Sequence, residues 1–201
     1  MSRVKLLLCV SSMVYLLAGF FGVTVSQADG NIQIKAAQVS ATANGYHLDV
    51  VSDITLNETL ELALEKGIIL YFVTKFVLMD SKWYWFDKEV ARSKLRVGLR
   101  YIAFTRQYHL SHETFELNFL TLKEALYALG RYSRPVDIKD ELNDETDYQA
   151  KLRVWLDLTR LSKPFQVETL GSKAWSLSSK NMAWRMKLPK PTQPLYVEGM
   201  R

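Results

Sequence analysis

The sequence predicts a mainly β protein, an antiparallel β-sandwich carrying two short α-helices, with a partly open barrel as the alternative. Three observations carry this. Short apolar-rich runs follow one another closely, several of them alternate apolar with charged residues at a period of two, and only two segments show helical spacing behind a Thr-Leu-x-Glu start. At 201 residues, with 48% hydrophobic and 23% charged residues, the chain has the size and composition of a single domain with a buried core.

The first segment stands apart. Arg3 and Lys5 precede an uncharged stretch over residues 6–25, and Ser26-Gln27-Ala28 places small residues at both processing positions for cleavage after Ala28. This is the layout of a secretory leader. The same stretch is long enough to stay as an N-terminal anchor, since about 20 apolar residues span a bilayer. Residues 1–28 are therefore set aside, residues 29–188 form the β-rich domain, and residues 189–201, punctuated by Pro189, Pro191 and Pro194, read as an extended tail. Losing the leader removes two basic residues and no acidic one from a net charge of +5. It also removes Cys9, the chain's one cysteine, leaving no thiol for a disulfide, a zinc-thiolate site or a nucleophile. Acidic residues are scattered throughout, so no like-charged block marks a nucleic-acid tail.

Within the domain, residues 32–39 and 46–51 flank Asn44-Gly45 and read as a hairpin. Thr55-Leu56-Asn57-Glu58 reads as a capping box ahead of a helix with Leu56, Leu60, Ala63 and Leu64 on one face, stopped by Gly67. Residues 68–79 are apolar on both faces, as in a strand covered on both sides. Residues 83–86 restart an extended run. Residues 94–106 alternate, with Leu95, Val97, Leu99 and Tyr101 against Arg96 and Arg100. After Phe115, Leu117 and Phe119, a second capping box at Thr121 starts a helix that ends at Gly130. Residues 131–145 are polar and read as a surface loop, residues 148–158 as the cleanest strand, and residues 165–167, 175–177 and 182–188 complete the β set.

Candidate chemistry is sparse. His109 and His112, with Glu113 beside them, are weak metal candidates: on a strand, positions three apart face opposite ways, so only a turn or helix brings the rings together. Trp83-Tyr84-Trp85-Phe86 offers a stacking platform for a sugar or flat ligand, or else packs in the core and at an edge. The outward pairs Arg96/Arg100, Lys151/Arg153 and Arg185/Lys187 make a basic patch attractive to anionic lipid or glycan if their strands are neighbours, and are otherwise solvated sheet faces. No nucleophile elbow, phosphate loop, zincin helix or cofactor motif is present in the sequence. His47 with Asp49 and a serine is the residual candidate for a triad assembled in space.

Several motifs in order resemble one family: Gly67-Ile68-Ile69-Leu70-Tyr71-Phe72, Trp83-Tyr84-Trp85-Phe86-Asp87, Thr105-Arg106-Gln107-Tyr108, the stretch 121–130, Lys163-Pro164-Phe165-Gln166-Val167 with Leu170-Gly171-Ser172, and Trp175-Ser176-Leu177-Ser178-Ser179. Together they resemble the proteobacterial exported family called domain of unknown function 4390 across nearly all of the chain beyond the leader. The resemblance implies an exported protein of the kind labelled proline-rich signal peptide protein, encoded near a nitrogen-regulation-type sensor kinase, and implies no catalytic residue. Export, with aromatic and basic surface candidates and no catalytic signature, points to a periplasmic interaction module that binds another envelope protein or the extracytoplasmic part of a membrane sensor kinase. A small-ligand, glycan or lipid carrier is the second reading and a hydrolase the third. The recognition candidates are Trp83, Trp85, Arg106, Tyr108, Gln166 and Trp175, in the family-like motifs and chemically suited to contact. An arginine and a glutamine tying strand ends together explain the same motifs.

Overall fold

The structure, a computed structural model, describes residues 29–43, 45–80, 88–139, 142–143, 145–161, 163–169 and 171–189. The leader, the aromatic run containing Trp83 and Trp85, and the tail beyond Pro189 lie outside the described residues.

The predicted hairpin forms from β1 (Asn31–Thr42) and β2 (Gly45–Thr55), with Gly45 at a φ of 121° that disfavours any residue with a Cβ. Helix α1 (Glu58–Glu65) then leads to β3 (Leu70–Asp80). Next come β4 (Lys88–Ile102), β5 (Gln107–His112) and β6 (Phe115–Phe119), then α2 (Leu122–Leu129), β7 (Arg131–Pro135), β8 (Asp137–Ile138) and β9 (Tyr148–Leu156). A short helix, α3 (Lys163–Thr169), precedes β10 (Met182–Met186). Two antiparallel sheets result, a small one ordered β1-β2-β7 and a seven-stranded one ordered β10-β9-β3-β4-β5-β6, with β8 beside the early part of β4. The large sheet ends in free edges at β6 and β10, which is a sandwich arrangement and not a closed barrel.

Alternation along β3, β4 and β9 builds the core. Phe72 lies opposite Val97 and Leu156, and Phe76 opposite Ser93 and Leu152. One cluster gathers Phe72, Val97, Leu99, Leu110 and Leu156 with Leu60 and Leu64 of α1 and Ala125 of α2; the other gathers Phe76, Leu78 and Leu152 with Leu48, Val50 and Tyr132 of the small sheet. Each such side chain contributes roughly 1.5–3 kcal/mol by leaving water. A buried polar tie crosses the interior. The buried Ser93 hydroxyl donates to the Pro135 carbonyl oxygen at 2.9 Å and accepts from the Tyr132 hydroxyl at 2.7 Å, fastening β7 to the large sheet.

The two predicted helices both stop at glycine, for different reasons. Gly67 has a φ of 80°, and the Ile68 N–H reaches the Ala63 oxygen at 2.9 Å while Gly67 N–H reaches Leu64 oxygen at 2.8 Å, a Schellman closure. Gly130 has an ordinary right-handed φ of −74°. There the reason is space: a Cβ on Gly130 would sit 2.1 Å from the Ser52 carbonyl oxygen of β2, in a contact where the Ser52 N–H donates to Gly130 oxygen at 2.8 Å.

Several expectations are corrected. The first helix is capped by Asn57, not Thr55: Asn57 Oδ1 accepts from Leu60 N–H at 3.0 Å while its Nδ2 donates to Ala174 oxygen at 2.7 Å, and Thr55 remains in β2. At Thr121 the full capping box does form. Residues 131–145 are not simply loop, because Tyr132 faces inward and pairs Arg131–Pro135 with β2 as β7, followed by β8. Residues 165–167 are helical, in α3, where Pro164 occupies the first turn and its missing N–H costs no bond. A third helix therefore joins the expected two. Residues 173–175 form a 3-10 turn, and strand-like contact resumes only as a bridge between Ser178 and Trp155. The strand expected to reach residue 106 ends at Ile102.

Replacing either glycine by alanine separates the two mechanisms. Gly67→Ala is expected to cost about 1–2 kcal/mol for forcing the left-handed conformation, and Gly130→Ala about 3 kcal/mol or more for the backbone shift it demands. Urea unfolding midpoints read both, and equal losses would remove the steric account of Gly130.

Candidate functional site on the outer face of the large sheet

The register that points Phe72 and Phe76 inward points Tyr71, Val73, Lys75 and Val77 outward. On that face Lys75 lies directly opposite Lys94 of β4 on one side and Arg153 of β9 on the other. Three cations thus occupy one cross-strand row, where opposite side chains stand about 4.5–5.5 Å apart and like charges repel. Arg92 and Lys151 follow in the next outward row, opposite Val77, and β10 adds Arg185 beyond β9. Of the basic pairs read from the sequence, Lys151/Arg153 and Arg185 sit on the neighbouring strands β9 and β10, whereas Arg96/Arg100 on β4 are separated from them by β3 and Lys187 lies past the end of β10. Lys75, which completes the row, was hidden inside an apolar run; a lone lysine in such a run was its one signal.

Beside this row a groove of about 470 Å³ is floored by Gly98 and walled by Tyr71, Lys94, Arg96, Ser111 and Arg160, with Glu113 at its rim. A Cβ at Gly98 would press on Ile69, Ser111 and Tyr71 at 3.2 Å. Arg96 is held in place. Its Nε and Nη2 reach Asp157 Oδ2 at 3.0 and 2.9 Å. Asp157 Oδ1 accepts from the Thr159 hydroxyl at 2.6 Å and its N–H at 3.1 Å. Asp157 is only 8% exposed. Burial opposes its ionisation, but the Thr159 donors and the Arg96 guanidinium outweigh that and hold its carboxyl below the usual range. Arg153 is held as well, its Nε donating to Ser178 Oγ at 3.0 Å and its guanidinium lying 5.6 Å from the Trp155 ring. Such a surface can take up carboxylate, phosphate or sulfate groups through charge-assisted hydrogen bonds.

The recognition candidates from the sequence are placed separately. Arg106 sits exposed in the β4–β5 turn with a φ of 54°, next to Phe104, which is 98% exposed. Tyr108 lies on β5 between Tyr101 and Phe119, its ring 4.9 Å from that of Tyr101, and burial together with neighbouring negative groups pushes its phenol up. Gln166 ties down the chain after β9 by donating to the carbonyl oxygens of Leu161 at 2.7 Å and Thr159 at 2.8 Å. Trp175 packs on the core cluster near α1. Arg106 and Tyr108 thus belong to the β4–β5 turn and to β5, and Gln166 to the helix that follows β9. Trp83 and Trp85 are outside the described residues.

The histidines part company as strand geometry requires. His109 faces outward, with Nε2 buried and 3.6 Å from Glu116 Oε2, beyond hydrogen-bond distance. His112 faces inward, its Nε2 accepting from Arg134 at 3.3 Å and its ring stacked 5.3 Å from Phe115. Burial and the Arg134 charge push its pKa down. Among the described residues no three metal-ligating side chains converge. Ser111 shares a face with His109, but no hydrogen bond joins them, and none joins His47 to a serine. The grooves lined by described residues open to solvent, and the space between the sheets is filled by the two core clusters. No helix among them is long and apolar enough to cross a membrane.

Fold and site together define an open two-sheet antiparallel sandwich with one strongly basic outer face. Residues 29–185 match the family described as domain of unknown function (DUF4390), and the chain belongs to that family. No curated protein and no solved structure is detectably similar to it.

Acid should weaken the domain in two steps. His112 has a folded pKa below its ordinary 6.5, so the stability it contributes is complete above that value and is lost as pH falls through the folded value. Asp157 behaves likewise below 3.8. Equilibrium stability against pH should therefore fall first below 6.5 and again below 3.8, and His112→Gln should flatten the first loss alone. An unchanged profile in that variant would contradict the assignment.

Proposed function

We propose that the chain is an exported cell-envelope protein whose outer sheet face binds an acidic segment of another envelope protein. The observation that carries the reading is the row Lys94, Lys75, Arg153, in which no cation makes a direct ion pair with a carboxylate among the described residues: Glu89, the acid that feels Lys75 and Arg92, is paired with Lys139 instead, and Arg92, Lys151 and Arg185 border the row. Natural sheets normally interleave charge signs on a solvated face. Stacking like charges in register costs stability that an acidic partner restores. The leader pattern supports the compartment, and the extracytoplasmic part of a membrane sensor kinase is the partner the family resemblance suggests. A carrier of small ligands is less well supported, because the grooves lie open to solvent and the space between the sheets is filled by core side chains, and the catalytic reading lacks a connected nucleophile and base.

Photo-cross-linkers placed at Lys75 and Lys94 in cells producing the full chain test this. They are expected to yield one envelope-protein adduct that is lost when Arg92 and Arg153 are both changed to Glu, with the thermal melt retained. Full-length chain recovered from the cytosol overturns the compartment; adducts with lipid alone, or protein adducts indifferent to the charge reversal, overturn the partner.

A further inference from the structure

We infer that β6 is a self-pairing edge through which two copies of the chain join antiparallel about a two-fold axis at Leu117. A free strand edge presents unpaired backbone groups, and proteins blunt such edges with lysine or arginine, proline, bulges or cover. Of the five edge strands among the described residues, β8 is only two residues long and three others are blunted. β1 carries Lys35 and a bulge between Ile34 and Ala36; β7 has Arg131 and Arg134 and ends at Pro135; β10 carries Arg185 and is followed by Pro189. The fifth, β6, carries none of these among the described residues, where its one strand neighbour is β5.

The occupant is set by the strand's own symmetry. Phe115-Glu116-Leu117-Asn118-Phe119 has the same chemical pattern in both directions. Antiparallel pairing about Leu117 places Phe115 against Phe119 of the second copy, Glu116 against Asn118, and Leu117 against itself. Apolar side chains then meet on one face, and a carboxylate meets an amide on the other, with no like charges directly opposite. An isologous interface needs this self-complementarity, and a heterologous partner does not. The same register carries the acidic Glu113 of one copy to the first turn of α2 of the other, where Lys123 stands and where negative charge is favoured. The surroundings supply apolar area: Leu117 is 46%, Leu120 73% and Tyr127 62% exposed, along a groove between β6 and α2. A five-residue pairing with this rim is small, so the dimer is weak, with a dissociation constant on the order of 10 µM or above.

Sedimentation of the chain as purified from producing cells, over a micromolar to submillimolar series, should show a monomer–dimer equilibrium that Leu117→Lys abolishes without changing the melt. In a Cys9→Ser background, Leu117→Cys should form a disulfide-linked dimer on mild oxidation, since the axis brings the two positions to about 4.5–5.5 Å between Cα atoms. Should that variant fold poorly, a mixture of Glu116→Cys and Asn118→Cys chains should cross-link to each other in preference to themselves. A monomer throughout the series, or equal cross-linking from Arg185→Cys on the β10 edge, overturns the inference.

Discussion

The rest of the structure depends on the register of β3 between β4 and β9. Side chains alternate along a strand, so a one-residue slip would carry every inward residue to the outer face. The pairing that sets Phe72 against Val97 and Leu156 is the same pairing that sets Lys75 against Lys94 and Arg153. Core and basic row are two faces of one constraint. Apolar burial worth several kcal/mol on the inside fixes the pairing, and the repulsion among three solvated cations, a fraction of a kcal/mol per pair and screened within about 10 Å by salt, is too small to displace it.

Energy alone therefore permits the row without explaining it. Any one of Lys75, Lys94 and Arg153 exchanged for an acid would keep the face soluble and convert repulsion into attraction, at no cost to the core beneath. Departures from such local optimisation concentrate where a surface is used. The contrast with the acid-paired arginine next door is informative: Arg96 has Asp157, and Glu89 has Lys139, so the sheet does neutralise charge at other positions.

The fold was legible where a residue's role depends on its own neighbours in sequence. Alternation identified β4 and β9, the Thr121 box started α2, and Asn44-Gly45 marked the first hairpin. What escaped depends on partners far away in the chain. Asn57 displaces Thr55 as cap because its amide also reaches Ala174, more than a hundred residues on. Gly130 looks like Gly67 in the sequence, yet one answers to Ser52 on the adjoining strand and the other to its own dihedral angle. Tyr132 made a strand of a polar stretch because Ser93 could receive its hydroxyl. The basic face was half legible for the same reason: each strand disclosed its outward cations, but sheet order, which only long-range pairing sets, decides whether they meet.

The basic face is also unevenly organised, and that bears on how it works. Arg96 is fixed by Asp157, itself locked by Thr159, while Gln166 secures the carbonyls on either side of the following turn. Arg153 is fixed by Ser178 and Trp155. Lys75 and Lys94, by contrast, are exposed and have no hydrogen bond or ion pair among the described residues. A guanidinium already held in place surrenders little entropy when it receives a carboxylate, whereas a lysine on a four-carbon stem can follow an acid over several ångströms. On the proposed reading Arg153 sets where an acidic segment lies, and the two lysines beside it tolerate what it is. That division of labour suits recognition of a charge pattern on a chain better than recognition of one small molecule, which would reward rigid groups throughout.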